Sequence, residues 1–379
     1  MEYYVCKYYS LGGITLLCKF DGQRVTMASQ IAGADETVSS LYSVKSEQAT
    51  MLSFDTYNYL VHYFGQPQGS MADDPNGTLG GDYEFVISDA TADRIELKGK
   101  KYGNRIVMKA FSADQTWKQY LTRIKKVEDD AFFYEYDLRM DGLYTGQMLR
   151  SNYTFIVTYY DEVGKVHQKT VPFMFTTDGM RFHEPVTIDG QTMQNFVWKN
   201  EEISFVCTDE GATEVKLAGV YTAGYQSYDY YPGTYQMDFY RLNDATNQME
   251  VASQEIQLVK DEDGKSYWLK GLEYDILVTY DKPRGGLSIL PQFLKKVQGG
   301  YVYLAMWDLM NDYVLRSSAI GLISYPTTDG IYLVDNGVWM GEISGFIFGV
   351  YDSQDEEASF MGYTDAVAAI RLIKKTIEE

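Results

Sequence analysis

Six tyrosines, Tyr221, Tyr225, Tyr228, Tyr230, Tyr231 and Tyr235, fall within fifteen residues, interleaved with Gly224, Gln226, Asp229 and Pro232. A tyrosine ring offers a flat apolar face and a hydroxyl handle, which suits stacking on sugar rings and packing in protein interfaces alike. Tyr225, Tyr228, Asp229, Tyr230 and Tyr231 are therefore candidate ligand-binding residues, as an aromatic platform. The same rings can instead pack inward from a linker onto neighbouring sheets. Gly224, Asp229 and Pro232 break periodicity, so residues 219–232 are expected to be irregular. Within them, Tyr225 and Tyr228 are expected to be more exposed than Tyr221 and Tyr235. A shorter group, Tyr3, Tyr4, Tyr8 and Tyr9, alternates poorly and reads as edge-strand packing.

Metal and nucleotide chemistry leave no comparable signature. His62, His167 and His183 are far apart in the chain, and none belongs to an H-E-x-x-H helix. Asp261-Glu262-Asp263-Gly264 resembles the start of a calcium loop, but aligning its glycine puts Val259 at position one and Lys270 at position twelve. The bidentate Glu is missing, so these residues read as a solvated hairpin turn. The chain has no Walker-type G-x-x-x-x-G-K-[ST], no G-x-G-x-x-G between strand and helix, and no G-x-S-x-G elbow. Fifty-three Asp and Glu make chance pairing unavoidable, so no carboxylate pair for glycoside hydrolysis can be selected. No catalytic residue, metal or cofactor is assigned, and the expectation is a protein that is not an enzyme.

Charge narrows the partners. Lys and Arg number 33 against 53 acids, a formal net charge of −20 over 379 residues. Phosphate binding needs cationic side chains that release counterions, so nucleic acid is not expected, and anionic membrane surfaces are disfavoured for the same reason. Three cysteines, Cys6, Cys18 and Cys207, cannot close a disulfide framework, although Cys6 and Cys18 could oppose each other across a hairpin. No run approaches the ~18 apolar residues of a membrane-spanning helix. Met1-Glu2-Tyr3-Tyr4 reads directly as strand sequence rather than as a signal peptide.

The elements that must position any site are mostly strands. Ile14, Leu16, Cys18 and Phe20 alternate before an Asp21-Gly22 turn, and 83–87, 94–98 and 106–108 alternate again. Between them 66–81 reads as a long, exposed and mobile loop. Trp117, Tyr120, Leu121, Ile124 and Val127 recur at helical spacing, predicting a helix over 115–127 capped by Asp114. Strand sequence resumes at 132–136, 153–157, 171–175 and 196–198, with turns at Asp178-Gly179 and Asp189-Gly190. Beyond Asp209-Glu210-Gly211 lie further strands at 233–240, 267–271, 274–280, 301–307 and 343–350. Val367, Ile370, Ile373 and Ile377, with Asp365 in the first turn, predict a C-terminal helix. The expected fold is mainly β: antiparallel sandwich or barrel-like modules with two short helices. Three modules are expected: 1–128 with a closing helix and a lipocalin-like order of elements, 129–210 packed on the first, and 211–379 ending in a helix.

Leu11-Gly12-Gly13-Ile14 running to Lys19-Phe20-Asp21-Gly22 and Val25-Thr26-Met27-Ala28-Ser29 resembles the opening of an uncharacterised Bacteroidetes cell-envelope lipoprotein family. Residues 52–60, Gly81-Asp82-Tyr83-Glu84-Phe85 and 95–101 fit the same pattern, and the match is densest over 1–110. The family is a domain of unknown function, so the resemblance carries no catalytic residues. It implies an outer-membrane or cell-surface lipoprotein, often encoded near glycan-uptake proteins of the SusC/SusD type. It also implies membrane attachment only through a lipid anchor that lies outside this chain.

The expected function is non-enzymatic binding at the cell surface, with a glycan or an outer-membrane protein as partner. A second reading is a lipocalin-like carrier of a small apolar ligand, which requires a continuous interior cavity of roughly 300 Å³ or more. A third is a hydrolase of unfamiliar type.

Overall fold

The computed structural model describes residues 2–4, 12–46, 49–65, 79–161, 163–243, 245–246, 248–355 and 357–375. The chain divides into two compact units, Met1–Val220 and Tyr221–Glu379.

The first unit contains two closed antiparallel barrels. In the first, β1 (Glu2–Tyr4), β2 (Gly13–Asp21), β3 (Arg24–Ser29), β4 (Val38–Ser46), β5 (Thr50–Phe54), β6 (Glu84–Ala90), β7 (Arg94–Gly99) and β8 (Arg105–Lys109) pair in chain order. Strand β8 then returns to β1. The barrel is thus up-and-down, a closure that leaves no free edge. Ile14, Leu16, Val25, Met27, Phe54, Phe85, Leu97 and Ile106 form its buried core. A short helix, α1 (Tyr59–His62), capped by the Asn58 side chain, adds Leu60 and Val61 to that core.

The second barrel repeats this topology with β9 (Glu135–Met140), β10 (Leu143–Ser151), β11 (Thr154–Tyr160), β12 (Val166–Phe175), β13 (Gly179–Ile188), β14 (Gln191–Lys199), β15 (Ser204–Cys207) and β16 (Lys216–Val220). Strand β16 closes on β9. Aromatic rings dominate its core: Tyr136, Phe155, Phe173, Phe175, Phe182, Phe196 and Phe205 are all buried.

Between the barrels runs α2 (Trp117–Asp130). Its stripe is the one the sequence spacing predicts, but it starts two residues later. Thr116, not Asp114, is the cap, because its hydroxyl accepts from the Gln119 N–H while Gln119 reaches back, a complete capping box. Leu121 packs on Leu17 and Ala28 of the first barrel. Ile124 and Val127 join the core of the second. The helix is therefore a shared wedge.

The second unit holds β17 (Gly233–Asn243), β18 (Gln248–Lys260), β19 (Ser266–Lys270), β20 (Ile276–Asp281), β21 (Gly286–Ile289), β22 (Gln292–Val297), β23 (Gly300–Asp308), β24 (Tyr313–Leu315), β25 (Leu322–Thr327), β26 (Gly330–Asp335), β27 (Gly345–Tyr351) and β28 (Phe360–Lys374). Pairing runs β17-β18-β19-β20-β21-β25-β26-β28, and β28 also pairs with β17. From β28 the sheet continues through β27 and β23 to β22, with β24 beside β23.

The expected C-terminal helix is instead β28. Asp238 faces Arg371 while Tyr240 faces Ala368, so three residues of β28 span two of β17. The extra residue is a bulge at Ala369, whose φ is +51°. It shifts the alternation, so that Val367, Ile370 and Leu372 all face the core. A local step of three thereby imitates helical spacing. Ile377 lies outside the described residues, as do 66–78 of the expected long loop, and Cys6 with its expected bridge to Cys18. The expected boundary at 210 also moves, because β16 is needed to close the second barrel and the next unit starts at Tyr221.

The β17–β28 seam carries a charge network. Arg371 donates to Asp238 at 2.8 Å and to Asp329 at 3.1 Å, and Gln236 and Ser253 also donate to Asp238. The guanidinium, helped by these donors, holds the Asp238 carboxyl at about 2. The stabilisation is fully present above the ordinary Asp value of about 3.9 and is lost as pH falls towards 2. The urea midpoint of Asp238→Asn should accordingly lie below that of the parent at pH 5, with the gap closing between pH 4 and 2. A gap that stays constant through that window would show that this ionisation is not linked to folding.

Candidate functional site

Strand β23 alternates over its first half, Gly300 to Leu304. Val302, Leu304 and Met306 enter the core of the second unit, which sends Tyr301 and Tyr303 to the opposite face. Register then assembles aromatic residues from separate strands. Phe293 of β22 lies opposite Tyr303, which lies opposite Gly349 of β27, which lies opposite Tyr363 of β28. In the adjoining row, Tyr301 faces Tyr351 and Tyr351 faces Phe360. Ring centroids are 5.4 Å apart for Phe293–Tyr303, 5.7 Å for Tyr303–Tyr351 and 5.5 Å for Tyr351–Phe360.

Gly349 makes this close packing possible. A Cβ there would stand 2.9 Å from Tyr351 Cε2 and 3.2 Å from Phe360 Cε2. The Arg316 guanidinium lies 4.2 Å from the Tyr351 ring centroid and 4.8 Å from that of Tyr303. It donates to the Asp355 carbonyl, which ties it to the loop before β28. Burial pushes the Tyr351 phenol pKa up, and Arg316 opposes that shift.

Together Tyr303, Leu315, Arg316, Ser317, Tyr351 and Phe360 line much of a groove of about 690 Å³. Tyr351 is its buried floor, whereas Phe360, at 45 % exposed, and Phe293, at 44 %, stand towards solvent. Exposed aromatic faces beside neutral hydroxyls can stack on and hydrogen-bond to a polyhydroxylated ring.

The tyrosine-rich segment is mostly packing. From Tyr221 to Pro232 it is irregular as expected, apart from a single 3₁₀ turn at Tyr228–Tyr230, whereas Gly219 and Val220, expected to be irregular too, end strand β16. Tyr231 is 1 % exposed and its hydroxyl donates to the Gly285 carbonyl, so it is not available to a ligand. Tyr228 is half-buried, stacks on Tyr267 at 4.7 Å, and donates to the Ser266 carbonyl. Tyr225 is half-buried beside Tyr280. Burial raises the phenol pKa of all three.

The expected order of exposure is corrected at Tyr221, which at 47 % is exposed where Tyr225 and Tyr228 are not. Tyr235 is fully buried. Tyr230 and Asp229 are exposed, with Lys374 over the Tyr230 ring and Lys260 paired with Asp229. The five candidates are thus neighbours in the fold, but the three best packed turn inward.

Among the described residues no group of three or more His, Cys, Asp or Glu is placed to hold a metal. His62 stacks on Tyr83, and His167 meets Asp161 at 2.9 Å. Asp263 accepts from the Lys265 and Ser266 N–H groups, which makes 261–264 a hairpin turn.

Residues 1–200 match the model of a domain of unknown function, DUF4302, and residues 208–347 match a second domain of unknown function, DUF4987. The first match covers the first barrel and the second as far as β14, and the second match begins inside the second barrel. No curated protein and no solved structure matches the chain. With 200 of its 379 residues matched by the first model, the chain belongs to the DUF4302 family.

Proposed function

We propose that this chain is a non-enzymatic glycan-binding protein of the cell envelope, and that sugar docks in the groove of Tyr303, Tyr351, Phe360 and Arg316. The observation that carries the reading is the convergence of these aromatic side chains from three strands around one open groove of about 690 Å³. The envelope address rests on the lipoprotein resemblance of residues 1–110. Glycoside hydrolysis needs two flanking carboxylates, and the described lining residues include no Asp or Glu. Binding without turnover fits that lining better.

Affinity electrophoresis through gels containing soluble polysaccharides tests this. Retardation is expected in at least one gel. Tyr303→Ala should weaken it by roughly fivefold, the equivalent of losing an aromatic contact of about 1 kcal/mol. Unchanged migration in every gel, or retardation indifferent to Tyr303→Ala, would overturn the proposal.

The carrier reading has less to stand on. Leu16, Met27, Phe54, Phe85 and Leu97 pack together as the core of the first barrel. The cavity beside Cys18, Ile95 and Met108 measures about 250 Å³, below the roughly 300 Å³ at which ligand pockets begin.

A further inference from the structure

We infer that the second barrel holds an open strand edge, that of β12 beside β13, at which an extended segment of a partner protein adds as a further strand. The ladder between these two strands is three rungs long: Phe173–Phe182, Met174–Arg181 and Phe175–Met180. Two local features stop it. The next rung would join Pro172 to His183, and Pro172 has no N–H to give. On the other side β13 bulges, since the four residues from Phe182 to Pro185 stand against Gln194 alone, between the Arg181–Asn195 and Val186–Met193 pairs. The Gln194 side-chain amide holds that bulge by donating to the Phe182 and His183 carbonyls at 3.2 and 3.4 Å. The strands therefore part, leaving a cleft of about 420 Å³ between residues 169–172 and 183–187.

Pairing polarity fixes what faces the cleft. The Phe173 N–H donates to the Tyr153 carbonyl at 2.8 Å, on the β11 side. Backbone direction alternates along an antiparallel strand, so the N–H and C=O groups of Gln168 and Thr170 point the other way, into the cleft. Both residues are exposed. Such groups repeat every second residue, ~6.8 Å apart, a spacing that the backbone of another strand matches. Pro172 belongs to the same set, at an edge position where a missing N–H is tolerated. Lys169 and Glu184 both line the cleft, so neither sign of charge dominates it and main-chain pairing selects the occupant. On the outer face Leu149, Ile156 and Thr170 lie side by side by register, with Leu149 and Ile156 exposed. An added strand extends this row with a β-branched or apolar side chain beside Thr170. Lys169 crosses the cleft to the Thr187 carbonyl at 3.3 Å, a single exposed hydrogen bond that an incoming strand displaces at little cost.

The test pans the full chain against a random dodecapeptide library displayed on phage. The synthetic peptide of the most enriched clone is then titrated by fluorescence anisotropy. Saturable binding is expected, weakened at least tenfold by Thr170→Pro, which removes an N–H that the β11–β12 ladder does not use. Gln168→Pro is the second variant should Thr170→Pro fail to fold, and the same loss is expected of it. Hydrogen exchange on the unaltered chain depends on neither variant. The Gln168 and Thr170 amides should exchange quickly in the free chain and at least tenfold more slowly with peptide bound, while Lys169 and Val171 stay protected throughout. A library that yields no binder, affinity indifferent to both substitutions, or exchange at Gln168 and Thr170 unchanged by peptide would overturn the inference. Dimerisation of the free chain that Thr170→Pro abolishes would assign the edge to a second copy and overturn the partner-protein reading too.

Discussion

Asp82→Ala is expected to cost the first barrel about 4 kcal/mol, enough to take a large share of a typical domain's stability. The carboxylate is buried just before β6 and accepts from the backbone N–H groups of Lys101, Tyr102 and Asn104. It also accepts from the Asn104 side-chain amide at 2.8 Å. Asn104 is itself buried, and its amide additionally donates to the Gly80 carbonyl. One side chain thus satisfies the turn between β7 and β8 and anchors it to the segment entering β6.

Alanine removes every acceptor at once, leaving the buried Asn104 N–H unpaired and the Lys101 and Tyr102 N–H groups unpaired at a part-buried turn. Each donor left unpaired costs about 1–3 kcal/mol, with partial relief from relaxation. Equilibrium urea unfolding followed by circular dichroism checks the value. A loss under about 1 kcal/mol would show that the turn holds without the carboxylate.

That clasp illustrates what a single sequence conceals. Residues 83–87 read as a strand and β6 begins at Glu84, yet nothing local shows that Asp82 reaches donors some twenty residues away. Alternation made the barrel strands legible because each has one buried face: Ile14, Leu16 and Val25 belong to the first core where the period of two places them. The wedge helix was legible for the same reason at a period near 3.6. Strand β28 was not, since the Ala369 bulge converts two steps of alternation into a step of three.

The site was illegible in a different way. Phe293, Tyr303, Tyr351 and Phe360 are spread over nearly seventy residues and meet only through cross-strand register. The visible cluster at 221–235 is dense in the chain, but density there reflects hydroxyls that cross-link loops. Tyr228, Tyr231, Tyr267 and Tyr280 all donate to backbone carbonyls. The Tyr267 ring also packs against those of Tyr228 and Tyr231, which commits the rings as well as the hydroxyls. The sequence gives no sign of which tyrosines will be spent in this way.

Gly12→Ala should destabilise the first unit by several kcal/mol, and Gly22→Ala by only about 1 kcal/mol. Both glycines have left-handed φ values, +71° and +59°, so both substitutions carry a similar backbone penalty. What separates them is the neighbour. Around Gly22 nothing lies within 4 Å of a new Cβ, whereas at Gly12 it would stand 2.0 Å from the Tyr153 carbonyl oxygen and 2.4 Å from Tyr153 Cβ. That carbonyl accepts from the Phe173 N–H at 2.8 Å, and the Tyr153 ring packs against the cores of both barrels. Its hydroxyl donates to Glu128 near the end of the wedge helix. Tyr153 is held at its carbonyl, ring and hydroxyl and cannot retreat, so the two barrels must part to admit a methyl group. Urea unfolding of the two variants side by side separates the steric cost from the conformational one. Equal losses would mean that the seam yields freely and that the barrels are coupled through the helix alone.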